Sequence, residues 1–120
     1  MNQYTEEHAR SYYAASARAT APYPQLEGDL SADVCVIGGG FTGVNTAIEL
    51  AQRGLSVILI EGRRIGWGAS GRNGGQLIRG IGHDVDGFTK YVGQEGVRYL
   101  QRAGIDSVEL VRNRIGENGI

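Results

Sequence analysis

The sequence predicts an α/β fold that contains a βαβ unit. Two runs, DVCVI at 33–37 and LSVILI at 55–60, carry apolar side chains on both strand faces, as central parallel strands do. Between them, Thr42–Arg53 has apolar residues three and four positions apart, which predicts an amphipathic helix. The order strand, turn, helix, strand is that of a βαβ unit.

A glycine-rich turn, GGGFTG at 38–43, joins the first predicted strand to the helix and fits the pattern G-x-G-x-x-G. The pattern alone is weak in a chain with 20 glycines, but here it follows a strand, opens a helix and precedes a strand that ends at Glu61. Gly38 permits the sharp turn, Gly40 lets a pyrophosphate approach the backbone, and Gly43 allows close packing of helix on strand. The helix N-terminus favours phosphates. These features together predict a dinucleotide site.

Glu61 stands where a carboxylate can accept hydrogen bonds from both ribose hydroxyls of an adenosine. The same charge would repel a 2′-phosphate, which disfavours NADP. The first glycine motif and Glu61 leave the choice between FAD and NAD open.

A second glycine-rich stretch, GWGASGRNGGQ at 66–76, follows the second strand closely. An NAD-binding domain does not need such a loop, whereas the longer FAD needs further backbone N–H groups for its phosphates, ribityl chain and flavin. The polar side chains of the stretch are candidate contacts for phosphate and flavin: Ser70, Arg72, Asn73 and Gln76. The alternative is a purely structural loop in which Trp67 holds the chain.

A second helix is predicted over Glu95–Ile115, with an apolar stripe that includes Gly104. A glycine on the apolar stripe indicates either a weak point or a close approach to another element. Asp84 and Asp86 are interpreted as a turn or a helix cap.

Composition excludes several classes of function. With 12 Lys and Arg against 13 Asp and Glu, the net charge of -1 gives no case for nucleic acid or an anionic membrane. No apolar run is long enough to span a bilayer. The single cysteine, Cys35, excludes an internal disulfide and favours a cytoplasmic protein, and its mid-strand position predicts burial. His8 and His83 lack metal-ligand spacing, so no metal site is predicted.

The segments VCVIGGGFTGVNTAIELAQRG and VILIEGRRIGWGASGRNGGQL resemble FAD-dependent amine oxidoreductases of the D-amino-acid-oxidase superfamily. The resemblance runs from about Ser11 to at least Asp86 and is most specific in GASGRNGGQ. Within the superfamily, the chain looks most like the group that oxidises polyamine derivatives such as gamma-glutamylputrescine.

The resemblance implies a two-domain flavoprotein fold with a Rossmann-type FAD-binding domain. It also implies oxidation of an amine at its C–N bond to an imine, which is hydrolysed to an aldehyde. Other substrates, namely D- or N-methyl amino acids or a tRNA-linked amine, stay open, as does a non-catalytic nucleotide-binding module. The implied cofactor contacts are Gly38, Gly40, Phe41, Thr42, Gly43, Glu61, Gly62, Arg63, Ala69, Ser70, Arg72, Asn73, Gly74, Gly75 and Gln76.

Relatives in the superfamily are several times longer than 120 residues. We therefore expect residues 1–30 to be a leader and residues 31–120 to be the N-terminal part of an FAD-binding domain. The substrate domain and the catalytic residues are expected outside this sequence, in a longer chain or in a partner chain.

Overall fold

The computed structural model describes residues 10–17, 23–80 and 84–120. They belong to two compact units, Met1–Gly74 and Gly75–Ile120. The predicted boundary between a leader and a cofactor domain at residue 30 stays a prediction.

The first unit contains the predicted βαβ arrangement. Its elements are α1 (Tyr12–Ser16), β1 (Val34–Ile37), α2 (Phe41–Gln52), β2 (Val57–Ile60) and a 3-10 turn (Ala69–Gly71). β1 and β2 are parallel, with Cys35 opposite Ile58 and Val36 opposite Leu59. Helix and strand content is therefore mixed, as predicted, and the two strands are joined through a helix.

Both strands begin later than predicted, because two polar residues pair where the strands start. The Asp33 carboxylate accepts hydrogen bonds from the Ser56 backbone N–H at 2.8 Å and from its hydroxyl at 2.6 Å. The Ser56 hydroxyl oxygen in turn accepts from the Asp33 N–H at 2.9 Å. These bonds lower the pKa of the Asp33 carboxyl below its ordinary value, the hydroxyl contributing most.

The two faces of the β1–β2 pair are unequally covered. α2 packs on one face, where Val36 is 9% exposed. On the other face Cys35 is exposed and Ile37 is 87% exposed. The predictions that both faces of β1 are covered and that Cys35 is buried are therefore wrong for this chain, because among the described residues a helix packs on one face only.

In the second unit, the chain forms a 3-10 turn (Val85–Phe88) and then α3 (Thr89–Asn118). Asp84 caps the 3-10 turn, as predicted, by accepting a hydrogen bond from the Asp86 N–H at 3.1 Å. α3 is longer than predicted at both ends and is kinked at Gly93, whose φ of 66° is not helical.

Gly104 is a place of close approach on α3. A Cβ at this position would lie 2.9 Å from both the Cα and the N of Gly80. Gly104 is buried and Val97 on the same stripe is 3% exposed, whereas Ile115 near the end of the stripe is 41% exposed. The sequence left open whether Gly104 is a weak point of the helix or a place of close approach to another element, and the structure shows the close approach.

Within residues 10–17, 23–80 and 84–120, no helix is both long enough and apolar enough to cross a membrane.

Candidate cofactor site

The candidate site lies in the first unit, where β1 and β2 end. We call Gly38–Gly43 the first loop and Gly66–Gly74 the second loop. The first loop leaves β1 by a sharp turn in which Gly38 has a φ of 102°, a conformation that L side chains rarely adopt. The Gly38 N–H donates to the Ile60 carbonyl at 2.7 Å, so the turn begins at the last residue of the parallel pair.

Close packing of α2 on β1 depends on Gly43, as predicted. A Cβ at Gly43 would collide with the Gly38 carbonyl oxygen and would lie 3.4 Å from the Val36 side chain. The first loop therefore brings the N-terminus of α2 close to the end of β1, which is the geometry a phosphate-binding turn requires.

Each oxygen of the Glu61 carboxylate accepts a hydrogen bond from a backbone N–H group. One oxygen, Oε2, accepts from the Gly39 N–H at 2.6 Å, and Oε1 accepts from the Arg63 N–H at 2.9 Å. A carboxylate offers about four lone-pair sites, so two further acceptor positions suit ribose hydroxyls. Glu61 thus fixes the first loop while standing where a ribose ligand is expected.

Gly39 is the residue of the first loop that sequence reasoning missed. It is buried, and a Cβ there would collide with Ile65 Cδ1 and lie 3.2 Å from Glu61 Oε2. The motif leaves its second position unspecified, so no role was predicted for it. The available signal was the third consecutive glycine in the run Gly38–Gly40.

Ser70 of the second loop caps α2. Its hydroxyl oxygen accepts a hydrogen bond from the Phe41 N–H at 2.9 Å. The N-cap residue of α2 is Gly40, which has no side chain to do this. A Cβ at Gly40 would lie 3.0 Å from Ser70 Oγ, so the glycine makes room for a residue of the second loop.

Backbone contact also joins the two loops. The Gly66 N–H donates to the Gly39 carbonyl at 2.8 Å. Together with the Ser70–Phe41 bond, this contact makes the two loops one hydrogen-bonded structure around the start of α2. The sequence predicted a second cofactor-binding loop, and the structure places that loop against the first.

The guanidinium groups of two arginines lie near the indole ring of Trp67. The Arg63 Cζ is 4.6 Å from the centre of the indole ring, and the Arg72 Cζ is 5.9 Å from it. Arg72 Nε also donates to the Gly68 carbonyl at 3.2 Å. Trp67 thus contacts one residue before the second loop and one within it, while Ser70 of the same loop reaches α2.

The other residues predicted to contact the cofactor lie in different parts of the two units. Asn73 Nδ2 donates to the Ser70 carbonyl at 2.7 Å, so this amide supports the turn that carries Ser70. Ala69 begins that turn, while Thr42 follows Phe41 in the first turn of α2. Gly75 and Gln76 belong to the second unit. For all of these residues, and for Gly62 and Gly74, contact with a cofactor stays a prediction.

The residues present fit a dinucleotide. α2 has 12 residues and no acidic side chain in its first turn, so no carboxylate there opposes a phosphate. Gly40 and Gly43 place no side chain of their own at the positive end of α2, where a phosphate is expected. Among the described residues, no group of three or more His, Cys, Asp or Glu could hold a metal ion. His8 and His83 lie outside the described residues.

A sequence model of the family described as FAD dependent oxidoreductase matches residues 33–120, which include both loops and both strands. The chain belongs to this family. The family supports FAD, rather than NAD, as the cofactor. No solved structure matches the chain.

Two curated relatives match nearly the whole chain. A gamma-glutamylputrescine oxidoreductase of Escherichia coli is 46% identical over 91% of the chain, and a probable oxidoreductase OrdL of Haemophilus influenzae is 41% identical over 100% of it. The aligned parts are 26% and 28% of those proteins, so the chain spans about a quarter of their length.

A third relative shows a higher identity over a shorter segment. An anaerobic glycerol-3-phosphate dehydrogenase of Escherichia coli is 51% identical, over 46% of the chain and 10% of its own length. Proteins named for different substrates thus share a segment of this chain, so that segment does not by itself identify a substrate.

Proposed function

We propose that this chain is the FAD-binding portion of an oxidoreductase that oxidises an amine at its C–N bond. The observation that carries the proposal is the hydrogen bonding of Glu61 and Ser70 to the first loop. One residue comes from the end of β2 and the other from the second loop, and both meet the backbone at the start of α2. This arrangement supports a Rossmann-type site with the adenosine ribose near Glu61 and the phosphates near Ser70.

Ser70 suits a phosphate neighbour because a hydroxyl both accepts and donates. Its oxygen accepts the Phe41 N–H, and its own O–H can donate to a phosphate oxygen. The positive end of α2 would strengthen that donation, since it polarises the hydroxyl in the same direction. Glu61, already held by two backbone N–H groups, needs no rearrangement to accept ribose hydroxyls.

When bound, FAD supplies the electron acceptance that amine oxidation requires, and the protein supplies orientation and electrostatics. We infer a polyamine derivative such as gamma-glutamylputrescine as the substrate, because the relative named for it is 46% identical over 91% of the chain. The glycerol-3-phosphate relative matches only 46% of the chain. The rest of the enzyme is expected to carry the substrate site and the catalytic residues.

The test uses the full-length protein. Its visible spectrum should show a bound flavin, and amines should reduce that flavin anaerobically, gamma-glutamylputrescine fastest in a panel with D-amino acids, N-methyl amino acids and glycerol-3-phosphate. A flavin-containing protein reduced only by D- or N-methyl amino acids, or only by glycerol-3-phosphate, would overturn the substrate assignment. A protein that retains FAD but is reduced by no member of the panel would favour a non-catalytic module, and a colourless protein that binds NAD would overturn FAD binding.

A further inference from the structure

Trp67, whose ring lies near the Arg63 and Arg72 guanidinium groups, has no assigned part in cofactor binding. We propose that Trp67, through its ring contacts with Arg63 and Arg72, is a positioning residue. It holds the Ser70 hydroxyl at the N-terminus of α2 and thereby raises the affinity for FAD. The inference rests on the proposed FAD site.

The ring contacts of Trp67 join the chain before the second loop to the turn within it. The Arg63 guanidinium carbon is 4.6 Å from the centre of the Trp67 ring, and that of Arg72 is 5.9 Å from it. Guanidinium groups within about 6 Å of an indole centre are attracted by the ring quadrupole, and indole is the strongest of the aromatic partners. The indole thus links positions four residues before it and five residues after it.

The backbone of each arginine is also hydrogen-bonded to a residue of the candidate site. The backbone N–H of Arg63 donates to Glu61 Oε1 at 2.9 Å, so Arg63 adjoins the expected ribose ligand. Arg72 follows the 3-10 turn, and its N–H donates to the Ala69 carbonyl at 3.1 Å. A shift of the indole would therefore be transmitted toward Glu61 on one side and toward Ser70 on the other.

Ser70 needs such support because its turn is short and rich in glycine. The turn Ala69–Gly71 has three residues, and Gly68 and Gly71 flank Ala69 and Ser70. Glycine has high conformational freedom in the unbound loop, so side-chain contacts must hold the turn in place. The hydroxyl must lie within hydrogen-bond distance of the Phe41 nitrogen to cap α2, and it lies at 2.9 Å.

The experiment measures FAD binding by the full-length protein after FAD has been removed. The dissociation constant is measured by equilibrium dialysis against FAD, a readout that does not depend on the optical properties of Trp67. Trp67→Leu should raise the dissociation constant about tenfold, and Trp67→Phe should fall between Leu and wild type, because phenylalanine keeps a weaker cation–π surface. Tyr99→Leu, at an aromatic residue that is 74% exposed on α3, is the control and should leave the constant unchanged.

A double-mutant cycle separates positioning from simple packing. Arg72→Gln should also weaken FAD binding. The double variant Trp67→Leu/Arg72→Gln should bind FAD only slightly more weakly than Trp67→Leu alone, since Trp67→Leu already removes the contact between the two side chains. Arg72→Lys, which keeps the charge, should recover part of the affinity. The melting temperature of the FAD-free Trp67→Leu protein should fall no further than that of Ser70→Ala, since both variants lose the same cap of α2.

The results decide between the possibilities. Wild-type protein that fails to bind FAD would overturn the FAD site and this inference together. If the wild type binds FAD, then unchanged affinity in Trp67→Leu, a Phe variant as weak as the Leu variant, or additive effects in the cycle would each overturn the positioning role alone. Should Trp67→Leu fail to fold, the Phe and Arg72 variants decide by the same criteria.

Discussion

The hydroxyl oxygen of Ser70 accepts a hydrogen bond from the Phe41 N–H at 2.9 Å, across 29 residues of sequence. The helix that opens at Phe41 therefore takes its cap from the second loop, because its own N-cap residue, Gly40, has no side chain. The two glycine-rich segments are parts of one structure, and a change in either should affect both the stability of α2 and the binding of phosphate.

Ser70→Ala should lower the free energy of unfolding by about 1 kcal/mol, the usual cost of losing an N-cap side chain. It should also weaken FAD binding, since the hydroxyl that can donate to a phosphate is lost. Urea unfolding of the FAD-free protein and a FAD titration measure the two effects. Ser31→Ala, at an exposed serine outside both loops, serves as the control. Equal stability of Ser70→Ala and wild type would show that the cap does not support α2.

Gly39→Ala should destabilise the protein by about 1 kcal/mol, the low end of the range for overpacking, because the exposed Ile65 side chain can move aside. The new methyl would also lie 3.2 Å from Glu61 Oε2, which accepts the Gly39 N–H, so FAD binding should weaken. Gly87→Ala, outside both loops, is the control, because a Cβ at Gly87 meets nothing within 4 Å. A Gly39→Ala variant that melts with wild type and keeps FAD would contradict the packing described for the first loop.

Glu61→Gln tests the charge of the candidate ribose ligand. The amide keeps the shape of the carboxylate but replaces one acceptor oxygen by a donor, which would face a backbone N–H of Gly39 or Arg63. Hydrogen bonds to a charged group are worth about 1.5–3 kcal/mol, so we expect a lower melting temperature and weaker FAD binding. Glu95→Gln, at an exposed residue of α3, controls for the change in net charge. Undiminished FAD affinity would remove Glu61 from the site.

The βαβ unit was predictable because its signals are local. The apolar runs that became β1 and β2, the glycine turn and the periodic helix each depend on neighbours a few positions apart. The role of Gly38 in the turn and of Gly43 in packing followed from the same motif.

The contacts between the loops were not predictable, because they join residues that are far apart in sequence. Nothing in GWGASGRNGGQ indicates that the Ser70 hydroxyl meets the Phe41 N–H, or that the Gly66 N–H meets the Gly39 carbonyl. The prediction that Cys35 is buried was wrong for a related reason. A run of apolar residues predicts covering layers, but the exposure of Cys35 depends on which layers the chain itself provides.

Asp33→Asn should make stability less sensitive to acid. The pKa of the Asp33 carboxyl is lowered below 3.8 in the folded state, chiefly by the Ser56 hydroxyl. A lowered folded pKa adds stability that is present above the unfolded pKa and is lost as the pH falls through the folded pKa. The urea midpoint of wild type should therefore exceed that of Asp33→Asn at pH 7, and the difference should shrink as the pH falls through the folded pKa of Asp33. Asp29→Asn is the exposed control, and a difference independent of pH would contradict the assignment.

Gly104→Ala has two opposite effects on the stability of the second unit, a gain in helix propensity and a loss from overpacking. Alanine favours a helix over glycine by about 1 kcal/mol, which alone would stabilise α3. At Gly104, however, the new Cβ would lie 2.9 Å from the Gly80 Cα and N, and backbone atoms cannot yield as a flexible side chain can. We expect a net loss of about 1–2 kcal/mol, since overpacking outweighs propensity. Gly116→Ala isolates the propensity term, because a Cβ there meets nothing within 4 Å, and it should raise the melting temperature. If both variants were stabilised alike, the close approach of Gly104 to Gly80 would be refuted.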